Sequence, residues 1–300
     1  MKTLLTNTQN TNFRYESLFK GTSLMIDAHS HIWTRNIEQF PLAKGKTLDD
    51  LDPPSFNYEE LVALIQPTDV SRVVLIQHRP YHGYDNSYLL HATQRYPEVF
   101  RVVAEIDDHR EGTGRLMRNM LPKGVTGFRI TPFSKGRDGW LDTPGMQEMW
   151  RVSVDTGQSM CCLIDAEDLP AVNRMCGKFP GTPVVIDHLS RIGVDGTIRD
   201  EDVSQLCKLA KHKQVSVKVS AFYALGARQP PYLDLAPMIQ RVFEAYGPQR
   251  LMWASDCPYQ LAPGNTYVDS IALIRDHLDF LSPEDREWML AKTAKRVYFF

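Results

Sequence analysis

The sequence carries neither of the usual glycine-rich phosphate loops. No GxGxxG follows a hydrophobic run, and no GxxxxGKS or GxxxxGKT occurs, so a nucleotide-binding sheet has no support. No apolar run approaches the roughly 18 residues of a membrane span. The five cysteines are odd in number and form no CxxC, which argues against a disulfide framework and against a cysteine-built zinc site. A reduced, cytoplasmic protein is the expectation. Excess charge is also missing, because 34 Lys and Arg meet 36 Asp and Glu for a net −2. With no basic run interleaved with aromatics, neither nucleic acid nor a membrane surface is the expected partner. The N-terminal MKTLLTNTQNTNFRYES has no apolar stretch long enough for a signal-peptide core, so residues 1–22 read as a polar leader and 23–300 as the folded unit.

What is present is alternation. Short apolar, β-branched runs recur at 24–29, 72–78, 100–106, 124–130, 159–164, 182–188, 214–220 and 250–256. Several are continuously apolar, as parallel strands buried on both faces are. Segments with helical spacing lie between them, at 58–66, 86–96, 114–121, 144–157, 166–179, 200–212 and 233–246, and two more close the chain at 268–281 and 283–298. Strand followed by helix, eight times over about 280 residues, predicts a (β/α)8 TIM barrel in preference to a doubly wound sheet.

Barrel chemistry collects where the strands end. The first run ends MIDAHSHIW, with His29 and His31 two residues apart and so on one face of a strand. The second ends in Gln77 and His78, the third near Glu105, the fourth in Arg129. The sixth gives Asp187 and His188 with Arg191 just beyond, the seventh Lys218 and Ser220, and the eighth Asp256 followed by Cys257 and Pro258. His29, His31, His188 and Asp256 form an imidazole and carboxylate set suited to one divalent ion, zinc first and manganese second. Each residue also has an ordinary reading. Asp256 could cap a turn, Arg129 could pair with Glu105 as scaffolding, and Cys257 reads as packing.

The motifs IDAHSHIW (26–33), HGYDNSYLL (82–90), GFRI (127–130), VVIDHLSR (184–191) and RLMWASDCPY (250–259) resemble the amidohydrolase superfamily. The resemblance is to the branch that includes 2-pyrone-4,6-dicarboxylate lactonase, L-fuconolactonase and 4-sulfomuconolactone hydrolase. It implies hydrolysis of a cyclic ester, with His29 and His31 as the first-strand pair, His188 as the sixth-strand histidine and Asp256 as the base. It further implies that Arg129 and Arg191 hold substrate carboxylates. Gln77 and His78, by their place at the second strand end, are expected to bind substrate hydroxyl or carboxylate groups. The fifth run, SMCCLID, has neither the lysine that bridges two metals nor the histidine of the related decarboxylases. The expectation is therefore a lactonase opening a small anionic lactone of a sugar acid or dicarboxylic acid, with one divalent metal, zinc by preference. A metal-free variant, a decarboxylase of the same superfamily, an inactive barrel that binds a small acid, and a homo-oligomer all remain open at this point.

Overall fold

The computed structural model describes residues 24–133 and 136–300, so the leader expected at 1–22 lies outside the described residues. Eight strands, β1 (Met25–Ser30), β2 (Val70–Ile76), β3 (Phe100–Ala104), β4 (Val125–Ile130), β5 (Ser159–Cys162), β6 (Val184–Ile186), β7 (Val215–Ser220) and β8 (Leu251–Ala254), pair in chain order. All seven neighbouring pairs are parallel. The ring closes where Ser30 bridges Cys257, with the His31 N–H donating to the Cys257 carbonyl at 2.7 Å and the Asp256 N–H to the His29 carbonyl at 2.8 Å. This is the (β/α)8 barrel that the alternation predicts.

Local chemistry explains the helices. Asn57 caps the helix Tyr58–Ile65 by accepting from the Glu60 N–H, and Glu60 reaches back to the Asn57 N–H. Thr143 caps Pro144–Thr156, proline stands in its first turn, and Gly157 ends it at φ 72°. The helices cover the outer face of the sheet. Inside, Ile26, Ala28, Val74, Ile76, Val103, Cys161, Val185, Met252 and Ala254 fill the barrel, and the C-terminal Ala294 and Tyr298 close its floor.

Two departures from regular strand geometry position the site. Between Asp27 and Ser30, β1 carries one residue more than β2 opposite it. Ile26 and Ala28 face the interior, and strict alternation would then turn His29 outward. The extra residue resets the pleat, so that His29 and His31 point inward above Ala28. The second departure corrects the sequence reading, which runs the sixth strand through His188. β6 stops at Ile186, and His188, Leu189, Ser190 and Arg191 follow in left-handed backbone at φ 52–56°. Non-glycine residues resist that conformation. Surrounding structure holds it here, including the His188 Nδ1 to Ser220 Oγ hydrogen bond of 2.9 Å.

Candidate active site

The C-terminal ends of β1, β6 and β8 bring four of the expected residues together. Asp256 Oδ1 lies 3.4 Å from His29 Nε2, 3.5 Å from His31 Nε2 and 3.8 Å from His188 Nε2. Its other oxygen, Oδ2, accepts from the Tyr223 hydroxyl at 2.8 Å. Oδ1 is therefore the oxygen turned to the three imidazoles.

The tautomers follow from what each ring nitrogen meets. His31 Nδ1 is 2.9 Å from the Ile76 carbonyl, which can only accept, so Nδ1 carries the hydrogen and Nε2 the lone pair. His29 Nδ1 is 3.2 Å from Lys218 Nζ, which can only donate. His29 Nε2 then holds the hydrogen and gives it to His31 Nε2 at 3.2 Å. The chain of donors runs from Lys218 through His29 and His31 to Ile76. Burial pushes His31 down to about 3, helped by the Arg129 charge. Burial also holds His29 well below the ordinary imidazole value, with Lys218 and His188 adding to it, and lowers His188. All three rings are neutral at pH 7.

Beneath this layer lies a buried ion pair. Lys218 Nζ is 3.0 Å from Asp187 Oδ1, and both side chains are fully buried. Arg129 Nε approaches Asp187 Oδ2 at 3.7 Å, so its partner is Asp187 and not the Glu105 that the scaffolding reading supposes. Burial opposes the Asp187 charge, but the Lys218 cation and His29 outweigh it and hold the carboxyl well below its usual range. Lys218 also rests over the Tyr298 ring, 5.5 Å from its centre.

Above the layer opens a cavity of about 550 Å³. His31, His78, Arg129, His188, Arg191 and Asp256 all line it, whereas His29, Lys218 and Asp187 lie below its surface. Tyr259 shares a 2.6 Å hydrogen bond with His78 Nε2. Arg191 donates to Asp165 at 2.9 Å and stacks on Phe133 with its guanidinium carbon 4.8 Å from the ring centre. Gln77 is a correction to its expected role. Its amide donates to the Gly83 and Asp85 carbonyls at 3.0 and 2.9 Å, holding the loop after β2, and it does not line the cavity. Cys257 behaves as packing. It is fully buried, and burial raises its thiol well above the usual range.

Sequence reasoning placed Asp187 and Lys218 at strand ends but gave neither a role. It missed Tyr223 and Tyr259 altogether. The inward parity of Lys218 with Ser216 and Ser220 on β7 was a usable signal. The tyrosines are in single 3-10 turns, Phe222–Ala224 and Tyr259–Leu261, which are too short for periodicity to mark them.

A family model described as amidohydrolase matches residues 26–300. The chain belongs to the amidohydrolase family. Among curated relatives of this amidohydrolase, L-fucono-1,5-lactonase of Burkholderia ambifaria is 26% identical over 284 residues, covering 91% of this chain and 94% of that one. The 4-sulfomuconolactone hydrolase of Rhizobium radiobacter is 28% identical over 237 residues, covering 78% and 75%. Among solved structures, a zinc-bound amidohydrolase from Burkholderia multivorans superposes with a TM-score of 0.77 at 20% identity, covering 92% of this chain and 99% of that one. A probable 2-pyrone-4,6-dicarboxylic acid hydrolase from Acinetobacter baumannii, crystallised with citric acid, gives 0.76 at 23%, with the same coverage. At these identities the two structures establish the fold.

Amidohydrolases typically work with a bound metal ion, and the donor set here fits one. Ligand atoms of His29, His188 and Asp256 all lie within 4.8 Å of one another. His31 already turns a lone pair inward, and His188 does so when its Nδ1–H donates to Ser220 Oγ. For His29, ligation through Nε2 requires the other tautomer, in which Nδ1–H turns from the Lys218 ammonium to Asp187 Oδ1, 3.7 Å away.

Proposed function

We propose that this amidohydrolase opens a small anionic lactone by attack of water, with Asp256 as general base. The observation that carries the reading is the Asp256 carboxylate on the cavity wall. Tyr223 holds one of its oxygens, and the other is surrounded by three neutral imidazoles. Ester hydrolysis needs a base to take the proton of the attacking water, a means of polarising the carbonyl, and a proton for the leaving oxygen. Asp256 Oδ1 takes the first proton and, once protonated, returns it to the ring oxygen that leaves. His29, His31, His188 and Asp256 would hold a zinc ion, which supplies Lewis acidity and lowers the pKa of bound water.

Arg129 supports the anionic part of the reading. Its Nε makes no hydrogen bond, standing 3.7 Å from Asp187 Oδ2, and its side chain is 8% exposed at the cavity wall. A guanidinium so placed matches a substrate carboxylate. The names of the relatives, a fuconolactonase and a sulfomuconolactone hydrolase, agree with lactone opening. His78, bonded to Tyr259, and the rim residue Arg191 complete the substrate contacts.

The test is Asp256→Asn, assayed by proton release on a lactone that the wild type opens. Loss of a general base lowers turnover by about 10²–10⁴-fold. Near-normal turnover with the fold and metal content unchanged would remove Asp256 from the role. Elemental analysis of the wild type beside His31→Ala tests the ion, and equal metal in both would dismiss the site as drawn.

A further inference from the structure

Strand order around the barrel equals chain order, so the cavity wall can be followed as an arc. From β8 through β1 and β2 to β4 it is polar, with Asp256, Tyr259, His31, His78, Arg79 and Arg129. The opposite arc comes from the loops after β4, β5, β6 and β7. There the cavity meets Phe133, Leu163, Val194, Ala221, Ala224 and Leu225, whose side chains offer only hydrocarbon. The polar groups on that side are few and mostly engaged, with Thr131 Oγ1 accepting from the Phe133 N–H at 3.3 Å. The Tyr223 hydroxyl is given to Asp256, His188 Nδ1 is bonded to Ser220, and Arg191, the rim contact for an acidic group, gives one guanidinium nitrogen to Asp165 while covering the Phe133 ring.

We infer that the substrate is a compact acid lactone whose ring edge opposite the acidic group carries no hydroxyls, in short an unsaturated or hydrocarbon-type acid lactone and not a sugar-acid lactone. The inference rests on the lactonase reading and narrows it. Seated with its acidic group at Arg129 and its carbonyl beside Asp256, the ring lays its far edge on the hydrocarbon arc. A sugar-acid lactone bears hydroxyls around the whole ring and cannot direct all of them to the polar arc. Each hydroxyl pressed against the apolar wall leaves water without gaining a partner. An apolar pocket rejects one added hydroxyl by about 10²-fold. A volume of about 550 Å³ accommodates one ring with its acidic substituents.

The experiment compares kcat/KM for two charged lactones, muconolactone and D-glucaro-1,4-lactone, on the wild type and on Leu163→Asn. The expected result is a preference for muconolactone of about 100-fold or more. Leu163→Asn supplies the wall with an amide and narrows that ratio by about tenfold, while an unchanged melting temperature shows the barrel intact. Equal rates, or a preference for glucarolactone, overturn the inference and leave the lactonase reading standing. A preference that Leu163→Asn leaves untouched overturns the assignment of selectivity to this wall. Hydrolysis of neither compound, nor of L-fucono-1,5-lactone, overturns the lactonase reading and the inference with it.

Discussion

Replacing Lys218 with methionine removes the cation from a pair that no water reaches. Lys218 and Asp187 are both fully buried, 3.0 Å apart, and neither Asp187 oxygen has a hydrogen-bond donor in good geometry. The remaining counter-charge is Arg129, at 3.7 Å. Methionine keeps most of the lysine's length, so the change is chiefly electrostatic. Stranding one partner of a buried ion pair costs about 3–5 kcal/mol. In a domain of this size each kcal/mol moves the melting temperature by about 2–4 °C, so the variant melts roughly 6–20 °C below wild type. The double variant Lys218→Met/Asp187→Asn removes the stranded charge as well and recovers more than half of the loss.

The pH dependence of that variant has a definite sign. In the wild type Asp187 is held below its ordinary value, so its contribution is present above the unfolded pKa and is lost only as pH falls through the folded one. Without Lys218, burial raises the carboxyl. A raised folded pKa gives a contribution present at low pH and lost as pH rises. The deficit of Lys218→Met is therefore larger at pH 8 than at pH 5. Calorimetric or circular-dichroism melts across that range measure it. A loss under about 1 kcal/mol at pH 7, or a double variant no better than the single, would show that Arg129 balances the Asp187 charge unaided.

Arg191 pairs with Asp165 at a position where both side chains are about a third exposed, so Arg191→Met shifts stability by less than about 1 kcal/mol. Its expected effect is a higher KM for the anionic substrate, and a large fall in melting temperature would return Arg191 to scaffolding. Cys257 is fully buried with its thiol pushed well above the usual range, whereas Cys207 is partly exposed. Iodoacetamide on the native protein at pH 8 should label Cys207 and spare Cys257. Labelled Cys257 in protein that keeps its native spectrum would contradict the packing role.

The barrel was legible because its signals are local. Apolar runs such as VVLI in β2 and amphipathic segments such as YEELVALI repeat in an order that only a parallel (β/α) arrangement accommodates. His29, His31, His188 and Asp256 were legible for a related reason, since polar side chains at the ends of buried strands stand out against their apolar neighbours. Which groups would meet was not local. The extra residue in β1 decides that His29 and His31 face inward at all, and it exists only relative to the register of β2. Gln77 occupies a strand end like His78, yet the carbonyls of Gly83 and Asp85 claim its amide, because a loop folded against the barrel must satisfy its backbone groups. Lys218 and Asp187 lie 31 residues apart in the sequence, and neither names the other. A sequence states which side chains can donate, accept or carry charge. Barrel closure sets which of them come within 4 Å, and so decides the tautomer of His29, the partner of Arg129, and the division of the cavity into a polar and a hydrocarbon wall.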